Sequence, residues 1–138
     1  MSTAKFFFTQ KERTTDTRQK AEEFGVTGEQ IARHYLEDKG YVILDRNYHD
    51  HHREVDIIAL DNDVLVFVEV KTRSSCQFMQ PEDAVDHSKR ERLIKAANQY
   101  ILSHKRDEPL RFDIITIVSD DGKMVINHIK NAFNIMSF

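Results

Sequence analysis

Asp56, Glu69 and Lys71 interrupt the apolar runs of the stretch REVDIIALDNDVLVFVEVKTR, which extends from Arg53 to Arg73. Charged side chains are seldom buried in a sheet without a partner or a chemical task. Two carboxylates held close together suit a shared divalent cation. Mg²⁺ in particular prefers oxygen ligands and commonly takes one or two carboxylates together with a substrate phosphate. An amine beside them suits the proton of an attacking water, or the charge that builds on a phosphate. Hydrolysis of a phosphate ester is the chemistry to which these residue types are suited.

For that chemistry the side chains must meet. A two-residue hairpin loop at Asn62 and Asp63 would bring them together, because Asn and Asp tolerate the positive φ of such turns. Counting outward, Asp61 faces Val64, Leu60 faces Leu65 and Ile58 faces Phe67. The same count sets Asp56 opposite Glu69 and Glu54 opposite Lys71, all on one face with Cβ atoms ~5 Å apart. On this reading Asp56 and Glu69 hold the ion, the Val70 carbonyl is a further oxygen ligand, and Lys71 serves the water or the transition state. Leu65 and Phe67 share the face, so an apolar core opens into a charged cleft. The same residues also fit a salt-bridge network on a solvated sheet face.

The elements that would position this hairpin are legible around it. TGEQIARHYLEDKG reads as a helix, with capping-box spacing from Thr27 to Gln30, a stop at Gly40, and Ala32, Tyr35 and Leu36 as its apolar stripe. Glu29 projects from the buried side of its first turn, either compensating the helix dipole or completing the ligand shell. YVILDRN (41–47) predicts a strand and YHDHHR a polar connection; EVDIIALD and VLVFVEVKTR are the next two strands. SSCQFMQPED is a loop. Residues 81–106 predict a long helix, started by Pro81 with Glu82 and Asp83, with a stripe of Leu93, Ala96, Ala97, Tyr100 and Ile101. RFDIITIVS, the turn DDGK and MVINHIK complete the chain. The fold class is α/β in the order α-β-β-β-α-β-β, a mixed central sheet flanked by helices, with the strand after the long helix parallel to a neighbour.

The chain has 138 residues, 40% hydrophobic and 31% charged, with a net charge of −3. This suits one soluble domain with one core, here residues 25–138. Residues 1–24 are expected to be an arm, loosely packed or docking its phenylalanines on a second subunit, with a short helix starting at TQKE. No apolar run approaches the ~20 residues of a membrane span, and KFFF is too short for a signal-peptide core. One cysteine, Cys76, excludes an internal disulfide and points to a reducing cytoplasm. The bulk charge gives no sign of nucleic-acid binding, so any basic surface must be local. Lys89, Arg90, Arg92 and Lys95 on the long helix supply one, either contacting phosphates or forming a solvated face, and Arg73 could reach a phosphate near the ion. His49, His51 and His52 fall short of a zinc ligand set and read as part of the polar connection.

VDIIA, followed by EVK in the next strand, resembles the nuclease motif D…(D/E)-x-K. TGEQIARHYLEDKGYVILDRN before it resembles the start of the YraN-like family of predicted endonucleases, which is similar to archaeal Holliday-junction resolvases. The likeness covers about residues 25 to 130. It implies a restriction-endonuclease-like fold, with Glu29, Asp56, Glu69 and Lys71 at the active-site positions. It also implies Mg²⁺ or Mn²⁺ as cofactor, branched or otherwise structured DNA as substrate, and a homodimer, since junction-cleaving relatives act in pairs. The chain departs from the family at Arg53, where a glycine is usual before the acidic residue. Two other readings of the scaffold are a non-catalytic nucleic-acid-binding module and a protein-interaction domain.

Overall fold

The computed structural model describes residues 3–7, 27–74, 86–120 and 122–134. In chain order the elements are β1 (Thr3–Phe7), α1 (Gly28–Asp38), β2 (Val42–Asp50), β3 (Arg53–Asp61), β4 (Val64–Ser74), α2 (His87–His104), β5 (Leu110–Asp120) and β6 (Lys123–Phe133). The strands form one six-stranded sheet in the order β1-β6-β5-β4-β3-β2. Only β4 and β5 are parallel; the other neighbours are antiparallel. From α1 onward this is the α-β-β-β-α-β-β order expected. The strand Thr3–Phe7 is additional, running antiparallel to β6 with Thr3 opposite Ile129 and Phe7 opposite Val125. The helix start at TQKE, the loop from Ser75 with Cys76, and Pro81 all lie outside the described residues, while Ser74 ends β4.

Local chemistry accounts for the boundaries. Thr27 caps α1 reciprocally: its Oγ1 accepts from Gln30 N at 3.2 Å while Gln30 Oε1 accepts from Thr27 N at 2.8 Å. The chain leaves α1 through Gly40 at φ 93°, a conformation that costs glycine little. Gly28 serves a different purpose: a Cβ there would lie 2.4 Å from Thr72 Oγ1, so the first turn of α1 rests directly on β4. Helix α2 begins at His87, with Asp86 Oδ1 accepting from Lys89 N at 2.8 Å, and so starts later than Pro81 suggested. Strand β2 runs on through Tyr48, His49 and Asp50, and His51 at φ 55° turns it into β3. The polar connection expected at 48–53 is therefore mostly strand. Tyr48 explains the extension, because its ring packs edge-on against Tyr100 of α2.

Apolar residues fill both faces of the sheet. Phe67, Phe112, Ile114 and Phe133 pack beneath Leu93, Ala96, Ala97 and Tyr100 of α2. Ile57, Val66, Ile115 and Ile117 pack beneath Ala32, Tyr35 and Leu36 of α1. The stripes expected on both helices are thus the ones buried, apart from Ile101, which is half-buried. Within the α1 side lies a buried polar network. Asp113 accepts from Arg111 Nε at 2.9 Å and Nη2 at 3.0 Å, from Asn131 N at 3.0 Å, and sits 2.7 Å from His128 Nε2. Arg111 also bonds Asp61 and the Tyr41 hydroxyl, and the Tyr35 hydroxyl lies 3.3 Å from His128 Nδ1.

Candidate active site

The β3–β4 hairpin turns at Asn62, φ 55°, and its register runs from Asp61 opposite Val64 to Ile57 opposite Val68. There the backbone ladder stops. The next acceptor is a side chain: Asp56 Oδ2 takes the Val70 N–H at 2.8 Å. Strand β3 rotates at this point, since Ile57 belongs to the core under α1 and Val55 to the core under α2. On the neighbouring strand Asn47, between the pairs Arg46–Ile57 and Tyr48–Val55, has φ 53°. The parting of β3 from β4 opens a cleft lined by Lys89 and Arg92 of α2, while Glu29 of α1 lines a separate pocket with Arg46 and Asn47 of β2.

Counting outward from the turn placed Asp56 opposite Glu69 as a strand pair. The two carboxyls do adjoin, just beyond Ile57 and Val68, the last pair of the ladder. The same count placed Glu54 opposite Lys71, and here the rotation of β3 redirects the side chain. Glu54 gathers with Glu29 and Asp56, the three carboxylates offering oxygens within 4.8 Å of one another. Lys71 pairs with Glu69 at 3.7 Å, while Glu54 also lies 3.8 Å from His49 Nε2.

Burial and charge set the protonation of this cluster. Desolvation above all, and then the neighbouring Glu69 charge, push the Asp56 carboxyl up to about 8, against the Val70 N–H bond, which favours ionisation. Glu69 is almost wholly buried, 3% exposed, and is held by Lys89 Nζ at 2.5 Å as well as by Lys71. A hydrogen bond from Lys89, burial and the Lys89 charge together lower the Lys71 amine below its usual range. Burial alone would lower Lys89 as well. Its hydrogen bonds to Glu69 and Lys71 and the charges of Glu69 and Asp56 outweigh that and raise it.

The other candidates divide. Arg92 lines the cleft together with Arg53, Glu54, Asp56, Glu69 and Lys89, around a cavity of about 120 Å³. Arg90 lies over the Phe133 ring at 5.5 Å, and Lys95 pairs along α2 with Glu91 at 3.3 Å. The basic residues of α2 therefore do not form one surface. Arg73 donates to the Thr72 carbonyl at 3.0 Å. Arg53 forms an ion pair with Asp50 and has no positive φ, so its backbone conformation does not call for glycine. The histidines form no ligand cluster among the described residues: His49 faces Glu54 and His51 faces Asp50. Thr116 stands beside Lys71 in the β4–β5 register, and its buried hydroxyl has no hydrogen-bond partner among the described residues.

Sequence reasoning missed Glu54 as a member of the acidic group and Lys89 as a partner of Glu69. No local pattern marks the first, since strand alternation assigned Glu54 to Lys71. For the second a weak signal exists: Lys89 is three residues past the Asp86 cap, on the turn that faces the end of β4.

The fold and cleft define a mixed-sheet α/β protein with an acidic cluster and a lysine pair where two central strands part. The chain belongs to the uncharacterised protein family UPF0102, whose model matches residues 28–117. A UPF0102 protein of Bacteroides thetaiotaomicron is 49% identical over 111 residues, which cover 80% of this chain and 92% of that one. One from Alkaliphilus oremlandii is 49% identical over 112 residues, covering 79% and 96%. The matched segment holds all the cleft residues named above.

Proposed function

We propose that this protein is a metal-dependent nuclease that hydrolyses phosphodiester bonds in DNA, with branched or otherwise structured DNA as its substrate class. The observation that carries the reading is the group of Glu29, Glu54 and Asp56, whose carboxylate oxygens lie within 4.8 Å of one another where the β3–β4 ladder ends. Like charges buried side by side destabilise a fold unless something compensates them. An all-oxygen donor set of this kind fits Mg²⁺ or Mn²⁺. Asp56, Glu69 and the Val70 carbonyl would hold the ion, with Glu29 and Glu54 beside it.

A bound ion of this class lowers the pKa of water and offsets charge on a phosphate oxygen. Lys71, whose amine is already biased toward the neutral form, accepts a proton from the attacking water or steadies the pentacovalent phosphate. Water oxygen bonds to phosphorus, one P–O ester bond breaks, and the departing sugar oxygen takes up a proton. Arg53 and Arg92 at the cleft supply charge for the flanking phosphates. The likeness of VDIIA and EVK to the D…(D/E)-x-K motif supports the same assignment, as does the likeness to junction-cleaving proteins, which adds a homodimer; the single cysteine, Cys76, adds a cytoplasmic setting.

The test is incubation with branched, single-stranded and duplex DNA in the presence of Mn²⁺. Cleavage of one of these that Glu69→Ala lowers at least ~100-fold is expected, as for loss of a group acting in the transition state. The absence of any Glu69-dependent cleavage overturns the enzyme reading; salt-dependent binding without turnover would then favour a binding module.

A further inference from the structure

Lys89 and a divalent cation cannot both hold Glu69 at close range. The Lys89 ammonium lies 2.5 Å from Glu69 Oε1, the same oxygen that Lys71 approaches at 3.7 Å. That carboxylate is the one buried at the floor of the cleft, with 3% of its side chain exposed, whereas a third of the Lys89 side chain faces solvent. Its backbone is fixed by the Asp86 cap, but its four-carbon stem can swing. Arg92, on the same helix, and Arg53 stand at the same cavity.

We infer that Lys89 competes with the divalent ion for Glu69, and that ion binding transfers its ammonium from Glu69 to a nucleic-acid phosphate at the cleft mouth. This deepens the nuclease reading and rests on it. Two cations on one oxygen repel, and the smaller charge on the flexible stem is the one that moves. Released beside Arg53 and Arg92, the ammonium completes a basic patch that Glu69 otherwise neutralises. Loading the ion and gripping the phosphate backbone are then one coupled event, and the coupling is reciprocal.

Two measurements on the full chain test this. Calorimetric titration with Mn²⁺ at low salt should show the Lys89→Met protein binding about tenfold more tightly than wild type, as expected when a competing charge is removed. The Mn²⁺-loaded variant should also bind DNA with a salt slope reduced by about one. Unchanged or weaker Mn²⁺ affinity in Lys89→Met, or Mn²⁺ binding that Glu69→Gln does not weaken, overturns the competition. The second measurement needs no variant: saturating Mg²⁺ should raise acylation of the Lys89 amine at least threefold relative to Lys95, read by mass spectrometry. Equal labelling with and without Mg²⁺ overturns the release. Competition and release observed without any DNA cleavage would leave the inference standing and remove the nuclease reading.

Discussion

Asp113 and Asp56 are both largely buried acids on central strands, and their surroundings treat them in opposite ways. Asp113 is met by Arg111, His128 and the Asn131 amide, and although burial alone would raise its carboxyl, these partners hold it below the ordinary carboxylate range. Asp56 has one amide bond from Val70 and faces Glu69, Glu29 and Glu54, with Lys89 at the same cleft, and burial followed by the Glu69 charge pushes its carboxyl up to about 8. The difference is one of partners rather than depth. A buried charge with matched donors belongs to the scaffold. A buried acid whose neighbours are other acids is a place where the fold carries an imbalance, and such places cluster at functional sites.

The comparison can be broken most forcefully at Asp113. Asp113→Asn leaves the Arg111 and His128 groups short of a counter-charge and should cost about 3–5 kcal/mol of stability in chemical denaturation at pH 7. Because the folded-state carboxyl is lowered, its contribution is present above the ordinary carboxylate range and is lost as pH falls through the folded value. A loss below about 1 kcal/mol, the range of exposed ion pairs, would mean that the network is not what separates the two aspartates.

Asp56 should behave with the reverse sign. A raised carboxyl binds its proton more tightly in the folded state, so stability falls as pH rises from the unfolded value near 4 toward about 8. With chelator present, Asp56→Asn should therefore be more stable than wild type at pH 9 by about 2 kcal/mol or more, the gap closing as pH falls toward 4. Thermal melts across that range check it, and a variant that is less stable at every pH would place Asp56 with Asp113. The smallest effect is at Thr116, whose buried hydroxyl, beside Lys71, lacks a partner among the described residues. Thr116→Val should leave the fold intact and add about 1 kcal/mol, the gain from removing an unsatisfied hydroxyl.

The hairpin was legible because its signals are local. Two turn residues and strict alternation give the register from Asp61–Val64 to Ile57–Val68, and capping chemistry gives α1. The same alternation misled beyond Ile57, because it assumes a ladder that continues, whereas here a side chain replaces a strand partner and β3 rotates. Glu54 was misplaced for that reason alone. Lys89 was only weakly legible as a partner of Glu69: the Asp86 cap sets it on the first turn of α2, but their meeting depends on how α2 crosses the sheet, which no spacing in the sequence encodes. The Asp113 network was missed for a similar cause: its members come from β5, β6 and β3 with α1, and each alone reads as an ordinary polar interruption of an apolar strand.

Because β4 and β5 run parallel, they cannot pair until the chain between them has folded back as α2. The antiparallel blocks β2-β3-β4 and β5-β6 close short loops and can form first; the parallel seam between them closes later. Asp56 and Glu69 lie in the earlier block, and Lys89 arrives only with the crossover. On the way to the native state the acids thus remain wetted while their strands assemble, and the strongest repulsion is not faced until the seam shuts. The step that joins the two halves of the sheet is also the step that seals the cleft, so the slow, long-range part of folding and the creation of the site are the same event.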